Sequence, residues 1–277
     1  LVRIICQLTE ILIIYLLTGM LAGFVSGLFG VGGAFTMAPA LIITLTLQGI
    51  HSSHIMHLTI GTSLAVMTIT SAYISILRYR AGDLHLKLMM RFTPFIIAGA
   101  LGGSLIGDAL PGLVLKYVFI GFLILSIIHG LAKKSSKNKL QIGNIALMKG
   151  FWLWVYGTTA GITGSLLGPG PAIVIAPFLR NANFPMHQIA AISSSLAGMI
   201  GLAATLGYVY GGFDESGLPD LSLGYLYLPA FTGLITGALI GSPIGVSTSH
   251  KIKDGLLHRF FICYLTFILL VMLIQGH

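Results

Sequence analysis

The chain has 277 residues, of which 56% are hydrophobic and only 8% charged, and its mean hydropathy is +0.96. A soluble domain carries about 25% charged residues, so composition excludes a soluble globular fold and implies a polytopic helical membrane protein in a lipid bilayer. The net charge of +8 is explained below by topology and requires no nucleic-acid partner.

Ten apolar segments follow in chain order. In the first half they cover about 4–29, 34–48, 57–77, 92–107 and 112–132; in the second, about 146–168, 170–183, 187–211, 224–246 and 256–275. The longest runs reach about 20 residues, whereas the strands of a membrane barrel alternate over about 10, so the fold class is all-α. The first segment is too long for the apolar region of a cleavable signal and reads as a span. "KKSSKNKLQ" (Lys133 to Gln141) is the one clearly polar linker. The chain therefore divides into a first transmembrane repeat at 1–132, a basic cytoplasmic linker at 133–145 and a second transmembrane repeat at 146–277. Cys6 and Cys263 each sit in an apolar run. They read as small buried hydrophobes, without metal or disulfide spacing.

The halves repeat each other. "GLFGVGGAFTMAP" (Gly27 to Pro39) returns as "SLLGPGPAIVIAP" (Ser165 to Pro177), with Gly30, Gly32, Ala34 and Pro39 matching Gly168, Gly170, Ala172 and Pro177 at a constant offset of 138. "TSL" at Thr62 matches "SSL" at Ser194, Pro94 matches Pro229, and "GALGGSLIG" at Gly99 matches "GLITGALIG" at Gly233. Order is kept while offsets drift slightly, as in an internal duplication.

Lys and Arg near short loops mark the cytoplasmic side. The Arg78–Arg91 loop, the linker region and the last loop are basic, whereas "GGFDESGLPD" (Gly211 to Asp220) holds three acids and no base. Placing the acidic loop outside puts thirteen of the fifteen bases inside, leaving Arg3 and Lys116. The corresponding loops 78–91 and 211–220 then lie on opposite faces, so the two five-segment repeats are inverted. Inverted repeats place a transporter's site near the midplane, where the repeats meet. The membrane is the cytoplasmic (inner) membrane.

The segments after each glycine motif are short. About 14 residues of helix span about 21 Å, against about 30 Å of hydrocarbon, so each glycine turn is sunk in the membrane. Irregular backbone at that depth lines a cavity or is buried in protein. Helices restart at about Ala34 and Pro171, after breaks marked by Pro39, Pro169, Pro171 and Pro177. A helix start leaves free N–H groups and a positive dipole end, which bind anions. The expected substrate is a small anion held by Gly30, Gly32, Gly33 and Ala34 from one side and Gly168, Gly170 and Ala172 from the other. Close helix packing is the competing reading; it suits the four-residue spacing of Gly99, Gly103 and Gly107 and of Gly233, Gly237 and Gly241.

Thr62, Ser63, Ser194 and Ser195 begin the next spans and either donate to the anion or bond back to their own helices. His51, His54 and His57 are spaced by three in an expected external loop and read as polar interfacial residues. Glu10 is the one acid inside an apolar run, and His187 opens a span on the inner side. Both are candidates for coupling or gating; snorkelling and helix capping are their plain alternatives. No metal site, cofactor or catalytic residue is implied, and a homodimer is compatible with the pattern.

At the two glycine motifs, the "TSL"/"SSL" pair and the late "GxxxG" helix, the chain resembles the sulfite exporter TauE/SafE family over nearly its whole length. The resemblance implies an exporter or permease for sulfite, sulfonates and related sulfur-containing organic anions. The family's G-x-G-G-G stands here as G-V-G-G-A and G-P-G-P-A, so the second turn departs further from the pattern. Two other classes compete. A serine-protease-like intramembrane enzyme would use Ser104 in "GGSL" (Gly102 to Leu105), and a structural or partner-binding subunit would carry no site. A transporter of another small ion, such as a metal cation, is a variant of the first class.

Overall fold

The computed structural model describes residues 2–132, 150–168, 170–181, 184–215, 217–252 and 254–274. The linker 133–145 and Pro169 lie outside the described residues, as does the side chain of Cys6. The first half forms α1 (Val2–Phe29), α2 (Ala34–Leu47), α3 (Ser52–Arg80), α4 (Leu86–Ala109) and α5 (Gly112–Ala132). The second forms α6 (Gly150–Leu167), a π-helical turn (Pro171–Ile175), α7 (Ala176–Asn181), α8 (Met186–Gly211), α9 (Leu228–Ser249) and α10 (Asp254–Ile274). Among the described residues, six helices are long and apolar enough to cross a membrane, and α2, α5 and the Pro171–Arg180 stretch are shorter apolar helices.

The expected segments 34–48 and 112–132 return as α2 and α5 almost residue for residue. The segment expected from 224 begins differently. A two-stranded antiparallel hairpin, β1 (Ser222–Leu223) and β2 (Leu226–Tyr227), precedes α9. Gly224, with φ +54°, makes its turn. The hairpin is tied down by Tyr227 N–H, which donates to Thr62 Oγ1 at 3.0 Å, and by Tyr227 Oη, 2.9 Å from Gln48 Oε1.

α3 sets the long axis at about 43 Å. At its Ser52 end, His54 lies 3.9 Å from Glu215 and His57 stacks on Tyr225 at 4.9 Å. At its Arg80 end, Arg78 donates to the carbonyl of His187, at the start of α8. Tyr208, near the end of α8, accepts from Tyr225 N–H, so α3 and α8 run antiparallel. The acidic stretch after α8 and the basic stretch from Arg78 to Arg91 thus sit at opposite ends of α3. α1 packs mainly on α9 and α4 mainly on α6, while α3 packs on α8 and α5 on α10.

Glycines let these pairs close. Gly19, Gly23 and Gly27 lie on the backbone of Leu234, Ala238 and Ser242, and Gly237, Gly241 and Gly245 lie on the carbonyls of Leu16, Met20 and Phe24. Gly99 meets Thr158, and Gly161 meets Ile96, in the same way between α4 and α6. Backbones this close gain dispersion and Cα–H···O contacts that larger side chains would prevent. The four-residue glycine spacing is therefore packing, as its periodicity suggested. Cys263, expected to be buried, is exposed on α10.

Candidate functional site

α1 ends where Gly30 N–H bonds back to Ser26 O at 2.8 Å, and α6 ends where Gly168 N–H bonds to Gly164 O at 2.7 Å. Gly30, Gly32 and Gly33 have φ +72°, +86° and +78°, and Gly168 has +100°. Only glycine holds such a run of left-handed conformations without strain. Space is equally limiting. A side chain on Gly30 would strike the carbonyl of Ala190, and one on Gly32 would strike Met67.

The two turns meet. A Cβ on Gly168 would collide with the Cβ of Ala34, the first residue of α2. Between them lies a gap lined by Ala34, Thr59, Ser63, Phe119, Leu167 and Gly168, with room for about one water. α2 has Gly33 as its N-cap and no side-chain cap; Thr36 N–H bonds back to Gly33 O at 3.1 Å, which leaves the amides of Ala34 and Phe35 without an intrahelical acceptor. The hydroxyls of Thr59 and Ser63 line the same gap. These residues are 0% and 2% exposed, and neither hydroxyl has a hydrogen-bond partner. A buried hydroxyl left unpaired costs about 1–3 kcal/mol. The start of α2 and two unpaired hydroxyls thus border the same gap.

The remaining expected site residues divide. Thr62 faces the hairpin instead, accepting from Tyr227. Ser194 and Ser195 donate to the Ala191 carbonyl of their own helix at 3.0 and 2.9 Å. Gly170 has an ordinary helical φ of −41° and packs against the Ala160 carbonyl. Pro171 opens the π-helical turn, and Pro39 is buried inside α2. Ala172 and Pro177 line a separate, largely apolar cleft with Phe29, Arg180 and Ala190. Glu10 is exposed and about 30 Å along α1 from Gly30. Thr59 was missed, although it stands one helical turn before Ser63.

Beyond the gap toward the Ser52 end opens a polar cleft that includes His57, Asp108, Lys116, Glu215 and Tyr225. The histidines expected in a loop belong instead to the start of α3, with His51 as its N-cap. His57 is buried, with Nδ1 3.3 Å from Ser53 O and Nε2 3.1 Å from Leu110 O. Burial, with Glu215 and then Asp108 nearby, pushes the Tyr225 phenol up to about 12. No cluster of three metal-binding side chains occurs among the described residues.

The opposite end holds a group that sequence placed in a loop. Arg78 lies in the last turn of α3 and is 0% exposed. Its guanidinium donates to Gly27 O at 2.7 Å, to His187 O at 3.0 Å and to Ser249 Oγ at 3.3 Å. Asp83 lies 3.6 Å away and is shared with His250 Nε2 at 2.7 Å and His187 Nε2 at 3.9 Å. One side chain thus ties the end of α1 to the start of α8 and the end of α9. His187, singled out from sequence, belongs to this cluster and not to the central gap.

A multi-pass helical bundle whose broken helices meet around a buried, donor-rich gap defines a membrane transporter, and the comparisons agree. The family model of sulfite exporter TauE/SafE matches residues 15–272, so the chain belongs to that family. A probable membrane transporter protein of Haemophilus influenzae is 24% identical over 264 residues, covering 95% of this chain and 98% of that protein. Another from Methanocaldococcus jannaschii is 27% identical, covering 86% of each chain. A third, from Bacillus subtilis, is 27% identical over 82% of this chain and 87% of its own. No solved structure matches. The chain is a transporter rather than an enzyme. The hydroxyl of Ser104, the nucleophile an enzyme would need, is bonded back to Leu101 O at 2.9 Å.

Proposed function

We propose that this transporter exports small sulfur-containing anions, such as sulfite, sulfoacetate and other organosulfonates, across the cytoplasmic (inner) membrane. The reading rests on one observation: the uncapped start of α2 and the unpaired hydroxyls of Thr59 and Ser63 share a buried gap with the second glycine turn. Amide and hydroxyl donors recognise oxyanions, and a positive helix end favours negative charge. The described residues lining the gap include no carboxylate, which suits an anion better than a metal cation.

The two repeats, 1–132 and 146–277, act as inverted halves joined by a cytoplasmic linker. The antiparallel course of α3 and α8 supports this relation. The Arg78 end faces the cytoplasm and the hairpin end faces out, in keeping with the basic loops. Clefts on either side of the gap are the two approaches, and rocking of one half against the other would open them in turn. His187 gates the inner approach through the Arg78 cluster.

Flux decides the matter. Proteoliposomes loaded with radiolabelled sulfite or sulfoacetate should release it with saturable kinetics, and Gly32→Leu should abolish release. No saturable flux of any such anion would refute the proposal.

A further inference from the structure

We infer that the central gap takes anions carrying a single negative charge and discriminates against dianions. This rests on the anion-export reading and narrows its substrate class. The Thr59 and Ser63 side chains are buried, and each hydroxyl offers one donor. The rest of the lining is Ala34, Ala38, Ile60, Leu64, Phe119 and Leu167, with the backbone of Gly168. No Lys, Arg or His occurs among the described residues that line it. The neighbouring elements hold their charges elsewhere. On α3, His57 faces Ser53 and Leu110, and Arg78 lies about 22 Å along the helix from Ser63, held by Asp83. On α5, Lys116 lines the polar cleft. On α10, Tyr264 is bonded to Thr36 at 2.6 Å. α2 contains no titratable residue, and in α6 the nearest, Tyr156, packs on Phe178.

The charge of the ligand then decides its fate. The cost of moving an ion out of water rises with the square of its charge, so a dianion pays about four times what a monoanion does. The half-charge at the start of α2 offsets part of one charge, and neutral hydroxyls stabilise a second only weakly. By charge, bisulfite and monosulfonates rank first; sulfite dianion, and sulfoacetate with its carboxylate ionised, rank below them.

The test uses the unaltered protein in liposomes, with protein-free vesicles subtracted. Efflux is measured from pH 6 to 9 for a fixed total of sulfite and, in parallel, for methanesulfonate, which stays a monoanion throughout. The expected ratio of sulfite to methanesulfonate flux falls with pH, approaching about tenfold per unit once the dianion dominates. A constant or rising ratio overturns the inference while leaving anion export intact. Absence of saturable flux for both anions overturns the export reading and the inference with it. Lys116→Gln should leave the ratio's pH profile unchanged; a steeper fall in that variant would mean that Lys116 lends its charge to the gap, and would also overturn the inference.

Discussion

The two glycine turns share a sequence pattern but not a chemistry. The first combines three left-handed glycines, a clean restart at Ala34 and two unpaired hydroxyls on α3. The second has one left-handed glycine and restarts through a π-helical turn at Pro171, and the hydroxyls of Ser194 and Ser195 on α8 bond to their own helix. Pro169 and Pro171 also carry no N–H to donate. The matching motifs thus carry different donor sets. The second turn serves as a wall: Gly168 presses on Ala34 and closes the gap.

The largest expected effect comes from the backbone of the first turn. Gly30→Val forces a β-branched residue into a left-handed conformation against the Ala190 carbonyl. Flux per folded protein should fall by more than about 100-fold; Gly170→Ala, at an ordinary helical φ, should keep more activity despite its tight contact. Similar losses in the two variants would erase the distinction between the turns.

Next comes the buried cation, whose repeat counterpart by the "TSL"/"SSL" offset is Tyr210. Arg78 is wholly buried, whereas Tyr210 is 81% exposed. Removing one partner from a buried ion pair costs about 3–5 kcal/mol, so Arg78→Leu should lower the melting temperature in detergent by many degrees. Tyr210→Ala should leave it nearly unchanged.

A smaller effect separates the hydroxyls. Each donor to a charged ligand is worth about 1.5–3 kcal/mol, so Ser63→Ala and Thr59→Val should each weaken apparent anion affinity by about tenfold or more. Ser194→Ala and Ser195→Ala should change it less than about twofold, measured as the concentration giving half-maximal efflux. Equal effects in both helices would restore a symmetric site.

The smallest effect concerns the hairpin, which has no counterpart in the first half. The Tyr225 phenol is raised from 10.0 to about 12. The neutral form is therefore favoured by folding, and its contribution to stability is complete below pH about 10 and lost as pH rises toward 12. Tyr225→Phe should flatten the alkaline limb of the melting-temperature profile by a degree or two.

Much of this arrangement was legible in sequence because it depends on local rules. Apolar length places the long spans, and glycine followed by proline marks the breaks at Gly30 and Gly168 where the helices stop and restart. The constant offset between the motifs pointed to two turns that meet. Other features depend on contacts between distant residues. Arg78 looks like a loop cation until Gly27, His187 and Ser249, from three other helices, are seen around it. Thr62 and Ser63 are adjacent and chemically alike, yet helical geometry turns one toward the hairpin and the other toward the gap. Thr59 had no motif to announce it. The hairpin escaped because its strands are two residues long, too short for alternation to register.

The Arg78 cluster has a consequence for motion. Three helix termini converge on a single guanidinium, and Gly27, whose carbonyl it binds, sits three residues from the first left-handed glycine. No rearrangement that separates α1, α8 and α9 at this end can leave the cation where it is. Either Arg78 travels with one of them and surrenders its other contacts to water, or the three move together as a block and α2 with the π-helical turn must swing past them. Resolving these alternatives would identify which part of the bundle is the stator and which is the moving arm.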